Sequence, residues 1–138
     1  MLERFIVALL GFYLGFSTFF SFVVAPILFS ALDKSSAGEV VAKIFPLYFG
    51  SATTLSGLSA LLALKGGYKK VAYLLLVGTL IAAFQEFYIL PLAEELKSSN
   101  PSAFKVWHGI SMLLNVVDML IAAIGLFYLI KVPRKGED

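Results

Sequence analysis

Cysteine is missing altogether, and histidine and tryptophan occur once each. Without cysteine there is no disulfide framework, no thiolate metal site and no thiol nucleophile. One histidine cannot build a tight zinc site, which takes several nitrogen or sulfur ligands. Charge is sparse as well, at 14% of residues, with a net value of +2. The basic residues form no extended patch, so nucleic acid is not an expected partner. No nucleophile–base spacing, phosphate loop or paired-histidine motif is present, and the chain is expected not to be an enzyme.

What fills the chain instead is hydrocarbon. Of 138 residues, 59% are hydrophobic, and the mean hydropathy is +0.90. Four apolar runs, Phe5–Ala31, Ile44–Leu64, Val71–Leu92 and Phe104–Ile130, are each long enough to cross a bilayer core as a helix. The first is too long for the apolar region of a signal peptide, and Phe29-Ser30-Ala31 is a poor cleavage site, so a retained helix is expected. The expected fold is all-α: an antiparallel bundle of four transmembrane helices, about residues 4–32, 36–64, 70–96 and 103–131, forming a single domain over 1–138.

Charge sets the expected orientation. If all four helices span, one side carries Arg4, Lys65, Lys69, Lys70, Lys131, Arg134 and Lys135, and the other Lys34, Lys43, Lys97 and Lys105. Basic residues favour the cytoplasm, so both termini are expected inside, in the inner (plasma) membrane, with the lipid bilayer as the first partner.

Helix 1 contains Gly11-x-x-x-Gly15, with Thr18 and Ala25 at helical spacing. Small residues on one stripe let another helix approach closely. Packing within the bundle is the favoured reading, and a homo-oligomer seam the alternative. Ser36 and Glu39 fit a capping box that would open helix 2. That helix is then rich in hydroxyls, Thr53, Thr54, Ser56 and Ser59 among them. Such groups bond back to their own backbone or, in a sharper reading, line a polar path. Lys65-Gly66-Gly67-Tyr68 reads as a tight turn. No internal repeat stands out. Pro26, Pro46 and Pro91 all fall in the outer half of their helices. Each leaves an earlier carbonyl without its usual donor, so the bundle could either bend locally or splay into a vestibule there.

Polar residues inside these runs are few, and an acid in hydrocarbon by default marks a site, a packing device or a wet cavity. Two such acids are Glu86 and Asp118. On helix 4, His108, Ser111, Asn115 and Asp118 share one face, continued by Ala122 and Gly125. Glu86 should lie level with Asn115, so a protonated Glu86 donating to that amide is one reading, and proton or cation exchange the other. His108 could serve as a hydrogen-bonding wedge or as one axial ligand to haem, or a transient copper stop.

Three stretches carry a family likeness: Lys43-Ile44-Phe45-Pro46-Leu47-Tyr48-Phe49, then Pro91 late in helix 3, then Phe104-x-x-x-His108-Gly109-x-Ser111-x-x-x-Asn115. Together they resemble the transmembrane-protein-205-like family, whose bacterial members are labelled domain of unknown function 4149. The resemblance implies a compact four-helix membrane protein. Through a eukaryotic relative associated with resistance to platinum drugs, it also implies handling or export of a small solute, drug or metal. It places an amide near Gln85, and would rest a shared role on Gln85, His108 and Asn115. A more distant likeness, to copper-resistance D and haem-biosynthesis membrane proteins, implies His108 as a candidate ligand to haem or copper.

The expectation taken forward is a polar pocket opening between helices 2, 3 and 4, binding a small solute or metal ion through Tyr48, Gln85, Glu86, His108, Ser111 and Asn115. A haem- or copper-binding redox or assembly protein, and a ligand-free scaffold, are its rivals.

Overall fold

A computed structural model describes residues 1–131, and the polar tail with Arg134 and Lys135 lies outside them. Four helices are long and apolar enough to cross a membrane: α1 Leu2–Ala31, α2 Lys34–Lys65, α3 Lys69–Ser99 and α4 Pro101–Lys131. They form an up-down ring in which α1 packs on α2 and α4, and α3 on α2 and α4. Large apolar side chains such as Phe12, Leu47, Leu61, Leu80 and Phe87 point outward, as a bundle solvated by lipid requires.

Each connection has a chemical cause. The first break falls at Asp33, whose carboxylate accepts the Ser36 N–H at 3.0 Å and the Ser36 hydroxyl at 2.7 Å. Asp33, not Ser36, is therefore the N-cap, and α2 starts earlier than the capping-box spacing predicts. The hydrogen bonds from Ser36 hold the Asp33 carboxyl below its ordinary value of 3.8. A lowered carboxyl contributes its stability above the unfolded value and loses it as pH falls through the folded one. Asp33→Ala should lower the melting temperature of the purified protein slightly at neutral pH, with Asp33→Asn between it and wild type. The Ala-to-wild-type difference should shrink in acid to that between Asp33→Ala and Asp33→Asn.

At the other end of α2, Gly67 has φ 83, a conformation that glycine adopts without penalty. A Cβ on Gly66 would lie 2.9 Å from Leu2. Tyr68 donates to the Glu3 carboxylate, which ties the start of α1 to this turn. That bond holds the phenol of Tyr68 up at about 12.

The prolines do not act alike. Pro26 and Pro91 each follow a π-helical turn, Phe20–Val24 in α1 and Gln85–Ile89 in α3. The wider turn absorbs the missing donor: Ala25 N–H reaches back to the Phe20 carbonyl and Leu90 N–H to that of Gln85. Pro46 sits inside an uninterrupted α2. Where a vestibule was one expectation, the space between α1 and α2 is filled by aromatic rings. Tyr48 packs against Phe16, Phe20 and Phe49 with centroids 5.6, 5.3 and 5.0 Å apart.

The small-residue stripe of α1 also differs from its favoured reading. Gly11 and Gly15 are exposed, and a Cβ on either would meet nothing within 4 Å. The side buried in the bundle is instead Ile6, Leu10, Tyr13 and Ser17. Close helix approach happens elsewhere, at Gly78 of α3, where a Cβ would lie 2.7 Å from the Asp118 carboxylate.

Burial discloses a repeat that the amino-acid order hides. Ile6, Leu10, Tyr13 and Ser17 of α1 recur at one constant offset as Val71, Leu75, Gly78 and Ala82 of α3, all buried. The two π turns and the prolines Pro26 and Pro91 keep that offset. Ala52, Ser56, Ser59 and Ala63 of α2 recur, one position further, as buried Asp118, Ala122, Gly125 and Leu129 of α4. The bundle is thus two similar hairpins, α1–α2 and α3–α4, with α1 and α3 running the same way. Such parallel repeats are related by an axis along the membrane normal.

Candidate functional site

The polar residues of the four helices gather in two layers. The first lies about three to four turns inside the end of the bundle remote from the termini, at the level of the π turns. Tyr48 of α2 donates to the Asn115 Oδ1 of α4 at 2.8 Å. Asn115 in turn gives its Nδ2–H to Ser21 of α1 at 3.2 Å, with the Met119 sulfur at 3.8 Å. Beside this chain, the Ser111 hydroxyl of α4 donates to the Gln85 carbonyl oxygen of α3. The sequence pointed to helices 2, 3 and 4, and Ser21 adds α1 to the set. By helical spacing Ser21 follows Gly11, Gly15 and Thr18 as one more small residue of a packing stripe, which gives no sign of a polar partner on α4.

Gln85 opens the π turn and is completely buried, continuing the inward spacing of Gly78 and Ala82, while Phe87 and Tyr88 face outward. Burying an amide in hydrocarbon is tolerated when its donors and acceptors are paired. Only its oxygen is: Gln85 Nε2 has no partner, and neither does the buried Oε2 of the following residue, Glu86. Glu86 points to α2, where a Cβ on Gly50 would lie 3.9 Å from its Oε1. It does not bond Asn115, whose carbonyl is taken by Tyr48. That corrects the expected Glu86–Asn115 bridge.

His108 is not brought into this cluster. It is exposed and stacks on Phe104, centroids 5.7 Å apart and planes at 16°. One turn nearer the helix start than Ser111, it has already rotated off the inward face, because a straight helix of 3.6 residues per turn drifts relative to a seam read at three and four. Among the described residues, no group of three His, Cys, Asp or Glu is placed to hold a metal ion. Of the α2 hydroxyls, Thr53 and Thr54 bond back to the Phe49 and Gly50 carbonyls at 2.7 and 2.9 Å, whereas Ser59 is fully buried and its hydroxyl has no partner.

The second layer is deeper. Asp118, 3% exposed, lies between Tyr13 of α1 and Gly78 of α3. Gly78 makes room for the carboxylate where the equivalent position in the other hairpin, Tyr13, carries a ring. The only salt bridge among the described residues joins the N-terminus to Glu3, so Asp118 has no cationic partner.

A family model described as "Domain of unknown function (DUF4149)" matches residues 8–102. An uncharacterized protein of Aquifex aeolicus (strain VF5) is 41% identical over 121 residues, covering 88% of this chain and 91% of that protein. No solved structure matches. The matched span takes in Ser21, Tyr48, Gln85 and Glu86, and ends before Ser111, Asn115 and Asp118.

Proposed function

The chain belongs to the DUF4149 family, and we propose that within the bilayer it binds and moves a small polar solute through the cluster of Ser21, Tyr48, Gln85, Glu86, Ser111 and Asn115. One observation carries the reading: an amide donor and a carboxyl oxygen on consecutive residues, Gln85 Nε2 and Glu86 Oε2, are buried without partners. An orphan group of this kind costs on the order of 1–3 kcal/mol. A scaffold gains nothing by it, whereas a binding site needs donors and acceptors left free for a ligand. A free donor and a free acceptor at one level of the bundle suit a small polar solute better than a soft metal, for which no thiolate and no inward histidine is offered.

The breaks in α1 and α3 support movement. Irregular turns at one level of two equivalent helices are where transporter folds built from parallel repeats place their sites. The protein acts by binding and passage, not by bond-breaking chemistry. Its termini lie on the cytoplasmic side of the inner membrane, in keeping with the excess of basic residues at that end.

Osmotic swelling of proteoliposomes in urea, acetamide and glycerol tests the proposal. At least one of these should enter faster than into empty vesicles. Glu86→Gln and Asn115→Ala should slow that entry several-fold. If both variants pass the whole panel at the wild-type rate, this cluster is not the path.

A further inference from the structure

We propose that α1 and α4 part in the half of the bundle remote from the termini, and that the seam between them seats one anionic phospholipid of the remote leaflet. Its phosphate rests on Lys105 and His108, and an acyl chain lies over Met112. The site is separate from the solute cluster and does not depend on the transport reading.

The parting shows along one side of α4. In steps of three and four from the terminal half, its residues are Ala122, Met119, Asn115, Met112, His108 and Lys105. Asn115 fixes where this side points, because its Nδ2–H goes to Ser21 of α1. Ala122 and Met119 are buried, Met119 at 8% exposed, and Asn115 is half-buried. Beyond it Met112 is 59% exposed, and His108 and Lys105 are exposed as well. A helical stripe drifts by only about 20° per heptad, too little to carry position 112 from core to surface. The helix opposite has moved away instead. α1 agrees: Ile6, Leu10, Tyr13 and Ser17 are fully buried, and no residue of α1 after Ser17 is.

The cause lies in α1. Its packing on α4 belongs to the stretch Leu2–Phe19, and after the π turn its last stretch, Ala25–Ala31, packs on α2. π turns and prolines are where helices change direction, and Pro26 follows this turn directly. Elsewhere the ring stays closed. The end of α3 packs on α4, and Lys97 of α3 reaches α2, its Nζ 3.4 Å from where a Cβ on Gly38 would stand. Aromatic rings join α1 to α2 at Phe20 and Phe45, and α3 to α4 at Tyr88 and Trp107. Among the described residues no ring pair joins α1 to α4.

Length and charge select a phospholipid as the occupant. From Lys105 to Asn115 is a rise of about 15 Å, half of a hydrocarbon core about 30 Å thick and so the depth of one leaflet. Lys105 stands at the rim, beside the start of the apolar run at Phe104. The seam offers it no protein counter-charge: α1 has no acid after Glu3, and the nearest acid further along α4 is Asp118, about 20 Å deeper. A phosphate supplies that charge. His108, an i+3 neighbour of Lys105 on the helix surface, adds a ring N–H donor and is steadied by its stack on Phe104. Below them Met112 gives an unbranched, adaptable side chain for a flexible tail. The tail ends at Asn115 and Ser21, where it completes the wall that α1 leaves out.

Native mass spectrometry of the protein in detergent with added phosphatidylglycerol tests the site. One lipid should be retained per chain. Lys105→Glu should cut the retained fraction several-fold, whereas Lys131→Glu, a charge reversal at the other end of the same helix, should leave it unchanged. Both positions are exposed, so neither variant disturbs the core. Dihexanoyl phosphatidylglycerol has the same headgroup but chains too short to reach Asn115, and should be retained several-fold less than the long-chain lipid. Equal retention by wild type and Lys105→Glu overturns the proposal, and so does an equal loss in both charge variants. Dimers that carry no lipid would also overturn it, by making the seam a contact between copies of the chain.

Discussion

Gly78→Ala should destabilise the bundle strongly, and Asp118→Ala introduced with it should restore most of the loss. A methyl at position 78 would stand 2.7 Å from Asp118 Oδ1 and 3.2 Å from Ile121 Cγ2. The first distance is closer than real Cβ contacts come, and the neighbours are packed, so the strain cannot be relieved by a side-chain swing into open space. Overpacking of this kind costs about 1–3 kcal/mol. Alanine at 118 removes the carboxylate that the new methyl would meet, so the double variant should melt close to wild type. Thermal unfolding in detergent, with all three variants side by side, checks it. No rescue in the double variant would mean that the strain lies against Ile121 and not against the carboxylate.

Tyr48→Ala should be the most damaging substitution in the remote half, whereas Tyr48→Phe should be mild. The ring is 5% exposed and packs on Phe16, Phe20 and Phe49. Phe20 in turn touches Phe45 at 6.0 Å. Removing a buried aromatic ring costs roughly 3–5 kcal/mol in protein cores. In lipid the loss is one of packing more than of water exclusion, and the lower end applies. Losing only the hydroxyl removes one bond to Asn115, about 1 kcal/mol. The ratio between the two, read as unfolding free energies, separates the packing role of the ring from the polar role of its hydroxyl. Equal effects would contradict it.

How much of this was legible in the sequence varies by residue. Four spans were readable because apolar runs of membrane length have one solution, and the inward stripe of Ser111, Asn115, Asp118, Ala122 and Gly125 followed from helical spacing alone. His108 failed the same argument, since the stripe rotates past it before the helix begins. Gly11 and Gly15 failed because small residues show where close approach is permitted, and not where it occurs. Gly78, a single glycine in an ordinary apolar run, makes that approach. The π turns could not be read, because they leave no composition signal and only the following proline hints at them. The repeat was hidden for a related reason. Its matching positions share burial while differing in chemistry, as Tyr13 with Gly78 or Ala52 with Asp118, and that difference is what creates the deep site.

The most direct measurement is the melting temperature of Gln85→Met/Ser111→Ala. Gln85→Met replaces the amide, with its unpaired Nε2, by an apolar chain of similar length, and Ser111→Ala removes the hydroxyl that would be left without its acceptor. In the other hairpin the matching pair, Phe20 and Phe45, is already apolar. If the cluster is kept for binding, the variant should melt at or above the wild-type temperature while its solute entry falls to the level of empty vesicles. If it melts well below wild type, the polar pair holds the bundle together, and the functional reading of this site is contradicted.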